Sequence, residues 1–122
     1  EIKKGAETSI TKLVKGELTK VTAKVVAQAA KEGDPLANSI FKEAGFYIGL
    51  GIVNILHTLN PELVIIGGGV SKAGDLLFDP IRATVEARAI PSIKKGVKIV
   101  PAVLGDDVSL LGAATFCQGM SP

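Results

Sequence analysis

Four consecutive apolar residues, Leu63–Ile66, are followed directly by three glycines at positions 67, 68 and 69. A short apolar run without polar alternation is typical of a strand that is covered on both faces, as in a parallel sheet. The glycines end the strand and let the backbone turn towards a following helix. The segment therefore predicts a central strand that leads into a tight turn, which favours an α/β fold.

A long helix is expected before this strand. Asp34 is a favoured N-cap, Pro35 suits the first helical position, and Asn60 marks the end. Gly45 and Gly49 lie one turn apart and each weakens the helix, so a close approach of another backbone is the expected compensation. The helix is expected to be buried on several faces. Its apolar residues recur at three- or four-residue steps and predict one stripe, made of Leu36, Ile40, Ala44, Ile48, Ile52, Ile55 and Leu59.

The remaining elements complete a helix-rich pattern with few strands. Short helices are expected at about 7–16 and 22–31, the second capped by Thr22. A helix at about 75–89 and a strand at 97–100 follow, and a last helix begins after Asp106 and Asp107. A strand, a helix and a strand in this order predict a parallel pair. Because two strands alone make a poor sheet, further strands are expected upstream of the chain.

Composition excludes several classes of protein. The net charge of +2 arises from 14 basic and 12 acidic residues scattered along the chain, so no basic patch for nucleic acid is predicted. One cysteine, Cys117, cannot form an internal disulfide, and no signal sequence opens the chain, which predicts a cytoplasmic protein. The longest apolar stretch, 46–59, is too short and too interrupted for a membrane span. The chain opens on Glu1 without Met, which suggests a segment of a longer protein.

The glycine run is the motif that can carry chemistry. Glycines between a buried strand and a helix let the backbone approach a ligand and can supply N–H donors. The run is neither a Walker loop nor the dinucleotide fingerprint, because both need a different glycine spacing. From the motif alone, a nucleotide site and a plain strand-to-helix turn both remain open.

A longer pattern surrounds the glycines. The segment 60–71, which reads NPELVIIGGGVS, resembles the asparagine-proline, strand and triple-glycine segment of the ROK family of sugar kinases and regulators. The resemblance extends back to the GDPLA segment at 33–37 and forward through PAVLGDD at 101–107 to LGAA at 111–114, in the family's order. It implies an actin-like, hexokinase-like ATPase lobe of the ribonuclease H-like type. It also implies that 1–122 is a single carboxy-terminal subdomain.

The resemblance assigns functional residues to the glycine run. Gly67, Gly68 and Gly69 would border the adenosine portion of ATP, with Val70 and Ser71 as further candidates at the start of the helix. The family's phosphate loop, catalytic base and phosphate glycines have no counterpart here and would lie upstream. No catalytic residue is therefore predicted in this chain, and magnesium is expected only as the partner of ATP.

The resemblance also leads to expectations about metal binding and sugar binding. The structural zinc of many family members needs a histidine and a cysteine cluster, whereas this chain has one cysteine, so neither zinc nor another metal site is predicted here. Glu1 stands near the place where the family has a sugar-binding glutamate, and it is a candidate for that role. An exposed terminal carboxylate is the alternative.

Other reactive side chains are interpreted as structural. His57 stands alone in the long helix, where a single histidine is usually a packed or surface residue. Asp106 and Asp107 precede a helix and suit its cap and dipole. Cys117 lies in an apolar final helix and is expected to be a small hydrophobe without an activating neighbour.

Two functional classes follow from the resemblance. The first is the nucleotide-contacting part of an ATP-dependent hexose kinase of the glucokinase type, with ATP and a hexose as partners. The second is the effector lobe of a sugar-responsive repressor, whose DNA-binding module would lie upstream. Nucleic acid is an expected partner only in the second case. Apolar surfaces that would face the missing part predict a homo-oligomer.

Overall fold

The computed structural model describes residues 1–2, 5–103 and 108–119 of the chain. Short 3₁₀ segments at Leu18–Lys20 and Gly69–Ala73 precede the second and fourth helices. The first helix is shorter than expected, and Asp106 and Asp107, expected before the last helix, lie outside the described residues. The elements follow the predicted order with one addition, the short helix α5, which was not predicted: α1 (Ser9–Leu13), α2 (Ala23–Lys31), α3 (Pro35–Leu59), β1 (Leu63–Ile66), α4 (Asp75–Arg88), α5 (Pro91–Lys94), β2 (Lys98–Pro101) and α6 (Val108–Gly119).

The two strands form a parallel pair in which Leu63 lies opposite Lys98. Val64, Ile66 and Ile99 pack against the helical core. The opposite face of β1 is open, because Leu63 is 49% and Ile65 is 60% exposed. The prediction that β1 is covered on both faces is therefore wrong for the described part of the chain, where helices cover only one side.

The core is built on the contact between α3 and α4. Gly45 and Gly49 are buried on α3 and face Pro80 and Thr84 of α4. A Cβ on Gly45 would lie 3.1 Å from the carbonyl oxygen of Leu77, and a Cβ on Gly49 would lie equally close to the next turn of α4. The predicted close approach of a second backbone is confirmed, and it explains two glycines in the middle of a long helix.

The buried face of α3 differs from the predicted stripe. Of that stripe only Ile52 is buried, whereas Ile40, Ile48, Ile55 and Leu59 are 37–73% exposed. The face with the two glycines is the one that packs, because it allows α4 to approach most closely. The buried residues of α3 are Ala37, Phe41, Gly45, Gly49, Ile52, Val53 and Leu56.

Helix α3 is longer than the apolar stretch on which the membrane prediction depended. Its 25 residues span about 37 Å, and by length and composition alone the helix could cross a bilayer. Its glycine face packs against α4, and Leu56 and Phe41 belong to the same core as the residues of α4. We therefore interpret α3 as the central core helix of the fold.

Asp34 joins α1 to α3 through both oxygens of its carboxylate. Oδ1 accepts from the Ala37 N–H at 2.8 Å and caps α3 as predicted. Oδ2 accepts from the Ser9 N–H at 2.6 Å, from the Thr8 hydroxyl at 2.8 Å and from the Ser9 hydroxyl at 3.0 Å. The Ala37 N–H contributes most, and together these donors outweigh burial and lower the pKa of Asp34 to about 2.

Candidate functional site

The candidate site lies where the two strands end. The N–H of Ala102 donates to the carbonyl of Ile66 at 2.9 Å, so the pairing continues one residue beyond the end of β2. A Cβ on Gly67 would lie 3.5 Å from the Cβ of Ala102, which is ordinary contact. The carboxyl ends of the parallel strands thus meet at the glycine run, which is where open α/β sheets bind ligands.

Gly68 makes the turn out of β1. Its φ of 91° and ψ of 171° lie in a region that L side chains rarely adopt. The hydroxyl of Ser71 donates to the Gly68 carbonyl at 2.7 Å, and the Ser71 N–H donates to the same oxygen at 3.2 Å. Because the hydroxyl proton of Ser71 closes the turn, this side chain has only its acceptor lone pairs left for a ligand.

The glycine run separates two clefts. The Pro101 cleft holds about 120 Å³ and is lined by Gly68, Ser71, Lys72, Pro101 and Ala102. The α2 groove holds about 590 Å³ between α2 and the segment Gly69–Ala73, and its lining includes Lys24, Ala27, Gln28, Phe41, Gly69 and Val70. The five predicted residues are therefore divided: Gly69 and Val70 line the groove, Gly68 and Ser71 line the cleft, and Gly67 lines neither.

The α2 groove combines an apolar floor with a polar rim. Helix α2 buries Val26, Ala29 and Ala30 in the core and presents Lys24, Gln28 and Lys31 on its other side. Phe41 of α3 is 5% exposed and lines the groove. This wall was not predicted from the sequence. In the sequence Lys24, Gln28 and Lys31 follow one another at steps of four and three residues, which places them on one face of α2. Only the tertiary structure places that face opposite the glycines.

Two other candidates lie apart from the glycine run. Glu1 lines an apolar groove with Ile10, Val26 and Leu36, among others, and this groove shares no lining residue with the two clefts described above. The sugar-binding role of Glu1 stays a prediction. Nε2 of His57 accepts from the Ile90 N–H at 3.2 Å, which ties α3 to the loop after α4 and agrees with the structural interpretation.

The remaining reactive groups add no site to the described residues. Cys117, expected to be a small hydrophobe without an activating neighbour, is exposed on α6. Asp106 and Asp107 lie outside the described residues. Over 1–2, 5–103 and 108–119, no three His, Cys, Asp or Glu side chains are grouped so that they could hold a metal ion.

The fold is that of an actin-like ATPase lobe. A ROK family glucokinase from Streptomyces griseus, solved in complex with glucose and AMPPNP, matches with a TM-score of 0.77 and 32% sequence identity. The match covers 88% of this chain and 35% of that one. The predicted fold class is confirmed.

The chain belongs to the ROK family, which its residues 4–120 match. A glucokinase from Halalkalibacterium halodurans is 44% identical over 92 residues, which cover 75% of this chain and 28% of that protein. A glucokinase from Thermotoga maritima is 36% identical over 103 residues, covering 84% of this chain and 32% of that protein. This chain thus spans less than a third of the length of either glucokinase.

Regulators are also among the relatives. A xylose repressor from Bacillus spizizenii is 26% identical over 111 residues, which cover 91% of this chain and 29% of the repressor. The shared lobe therefore occurs in kinases and in repressors.

Proposed function

We propose that this chain is the nucleotide-contacting, carboxy-terminal subdomain of an ATP-dependent hexose kinase of the glucokinase type. The observation that carries the proposal is the likeness to glucokinases, which reaches 44% identity, against 32% for a xylose repressor from Caldicellulosiruptor bescii. In this proposal residues 1–122 form one subdomain, and the glycine run borders the adenosine portion of ATP. The protein is assigned to the cytoplasm, where ATP is available.

The site chemistry supports a nucleotide. A parallel strand pair ends at a turn whose backbone is exposed, and an apolar groove with lysines at its rim lies beside it. A purine base suits the apolar floor, and the lysines favour an anionic ligand over a neutral one. The structural relative from Streptomyces griseus was solved with AMPPNP, an ATP-like ligand.

Phosphoryl transfer also needs a base for the sugar hydroxyl and magnesium to neutralise the phosphates. We assign the catalytic base, the hexose contacts and the magnesium site to the part of the kinase that corresponds to the remaining two thirds of the relatives' length. Within this chain, Glu1 is proposed as a sugar contact.

The second candidate is the effector lobe of a sugar-responsive repressor. It is favoured by one observation, the 91% coverage of this chain by the Bacillus spizizenii xylose repressor. A sensor needs sugar binding without phosphoryl transfer, so the two candidates differ in whether the chain binds nucleotide.

Calorimetric titration of the chain with magnesium and ATP, and separately with glucose, tests the proposal after circular dichroism has shown a folded chain. We expect weak ATP binding and no glucose binding. Binding of glucose alone would favour the repressor, and binding of neither ligand would contradict a nucleotide role for this chain.

A substitution at Gly69 tests whether ATP binds beside the glycine run. Gly69 has no positive φ, and a Cβ there meets no heavy atom within 4 Å, so Gly69→Ala places a methyl group beside the groove without straining the fold. We expect ATP binding to weaken about fivefold. Gly96→Ala is the matched control, because its Cβ would lie 4.0 Å from its nearest neighbour and outside both clefts. Gly68 is unsuitable, since its positive φ confounds any substitution.

Self-association is a further proposal, supported by the open side of α3. Ile40, Tyr47 and Ile55 are 41%, 63% and 46% exposed on one side of this helix. Exposed apolar faces of this kind tend to associate. We expect the apparent mass of the chain to rise with concentration in light scattering. A constant mass of 12.6 kDa over the series would contradict this expectation.

A further inference from the structure

We infer that Asp34 is a positioning residue for the hexose site, because it anchors the segment before α1, and with it Glu1, on the start of α3. This inference rests on the proposed function, in which Glu1 contacts the sugar. Asp34 itself is not expected to touch the substrate. The number of donors on its carboxylate, their place in the chain and the turn that leads from them to Glu1 support this role.

Asp34 accepts more hydrogen bonds than a helix cap needs. Thr22 caps α2 through a single bond of 3.3 Å. Asp34 caps α3 in the same way through Oδ1, which accepts from the Ala37 N–H at 2.8 Å. Oδ2 accepts from three donors at the start of α1, which precede Asp34 by 25 or 26 residues. One oxygen of the carboxylate therefore serves a contact between distant parts of the chain.

The three donors hold the start of α1 in one orientation. They are the hydroxyl of Thr8 at 2.8 Å, the N–H of Ser9 at 2.6 Å and the hydroxyl of Ser9 at 3.0 Å. Hydrogen bonds to a carboxylate are strong and depend on direction, whereas apolar contacts do not. Ile10, which is 1% exposed, holds α1 in the core. The orientation of α1 on that core is therefore fixed by Asp34.

A closed turn connects these donors to Glu1. The N–H of Ala6 donates to the carbonyl of Glu1 at 3.3 Å, and the N–H of Gly5 donates to the carbonyl of Ile2 at 3.0 Å. Ile2 also packs against the core. Ala6 lies only two residues before Thr8. A shift of the start of α1 against α3 is therefore expected to move Glu1 as well.

The anchor is itself held firmly. Asp34 is 7% exposed, and its N–H donates to the carbonyl of Ala29 at the end of α2 at 3.0 Å. The side-chain amide of Asn38 donates to the carbonyl of Asp34 at 2.9 Å and to that of Ala30 at 3.1 Å. A binding group is placed accurately only when the residues that support it are locked by packing and hydrogen bonds. Asp34 meets this requirement at the junction of three helices.

Asp34→Asn separates the anchor from the cap. Asparagine is as good a helix cap as aspartate. Its side chain has one acceptor oxygen and a nitrogen that only donates, so it cannot accept from both the Ala37 N–H and the three donors of α1. The variant can keep the cap of α3 only by giving up the anchor.

Steady-state kinetics of the intact kinase that contains this chain test the inference. We expect Asp34→Asn to raise the KM for glucose about fivefold and to leave the KM for ATP unchanged. Lost stability alone would lower the amount of active enzyme, and so the apparent kcat, without changing either KM. Asp75→Asn is the matched control, because it makes the same change at a side chain that is 85% exposed in the first turn of α4. It is expected to leave both KM values unchanged.

An unchanged KM for glucose in Asp34→Asn would overturn the inference and leave the proposed function intact. An equal rise in the KM values for glucose and ATP would also overturn it. If the unmodified kinase did not phosphorylate glucose, the proposed function and this inference would both fail.

Ser9→Ala tests the same contact if Asp34→Asn does not fold. It removes one of the three donors to Oδ2 and keeps both the carboxylate and the cap of α3. We expect the KM for glucose to rise about twofold. Ser39→Ala is its control, because the Ser39 hydroxyl bonds only locally, to the carbonyl of Leu36 at 2.8 Å on the exposed side of α3. Equal KM values for glucose in these two variants would contradict the inference.

Discussion

Replacing Gly49 with alanine is expected to lower the free energy of unfolding by about 2 kcal/mol. The new Cβ would lie 2.6 Å from the Cβ of Thr84 and 3.1 Å from the carbonyl oxygen of Ile81, so the two helices must separate or distort. Alanine gains about 1 kcal/mol of helix propensity over glycine, and the loss of packing has to exceed this gain. Gly45→Ala is expected to behave alike, because its Cβ would lie 2.5 Å from Cγ of Pro80.

Urea denaturation followed by circular dichroism measures the effect, and Gly51→Ala is its control. Gly51 belongs to the same helix and is exposed, and a Cβ there meets no heavy atom within 4 Å. The alanine at this position is expected to raise stability by up to about 1 kcal/mol, because only the propensity term changes. Similar midpoints for Gly49→Ala and Gly51→Ala would show that the α3–α4 contact is looser than described.

Asp34→Ala is expected to destabilise the chain by about 3 kcal/mol. The substitution removes the cap of α3 and leaves the donors of Thr8 and Ser9 without their shared acceptor. Thr22→Ala provides the comparison, because Thr22 caps α2 through one bond of 3.3 Å at an exposed position and is expected to cost only about 1 kcal/mol. If both variants lost the same stability, Asp34 would act as an ordinary cap and nothing more.

The pH dependence of stability also tests the contribution of the Asp34 carboxylate. The pKa of Asp34 is about 2 in the folded chain and about 3.9 in an unfolded one, so the folded state favours the ionised form. Its contribution is complete above about pH 5, and it is lost as the pH falls towards 2. We expect a loss of about 1–2 kcal/mol over this window in the parent chain and a smaller loss in Asp34→Asn. Parallel pH curves for the two proteins would contradict the lowered pKa.

Local signals allowed the predictions that succeeded. The Asp34-Pro35 start of α3, the Thr22 cap of α2 and the strand Leu63–Ile66 are confirmed, because each depends on residues close together in the chain. The fold class followed from a family resemblance, and the solved relatives confirm it. The functional role of the glycine run remains a prediction.

The predictions that failed depended on which surfaces meet. Counting apolar residues selected the side of α3 with Ile48 and Leu59, yet α4 packs on the side with Gly45 and Gly49. Glycine adds no hydrophobicity to a periodic pattern, although it permits the closest packing. For the same reason the α2 wall of the groove was missed, since it arises only when α2 and the turn after β1 are placed together.

The glycine contacts between α3 and α4 also limit how this sequence can change. Gly49 faces Thr84, and Gly45 faces Pro80 one turn away, so each position has its own partner on the other helix. Mutations at contacting residues are not additive, and a larger residue at 49 becomes acceptable only beside a smaller one at 84. We therefore expect the effects of substitutions at 49 and 84 on stability to depend on each other, and a larger residue at 49 to be tolerated more readily after Thr84 has been replaced by a smaller residue.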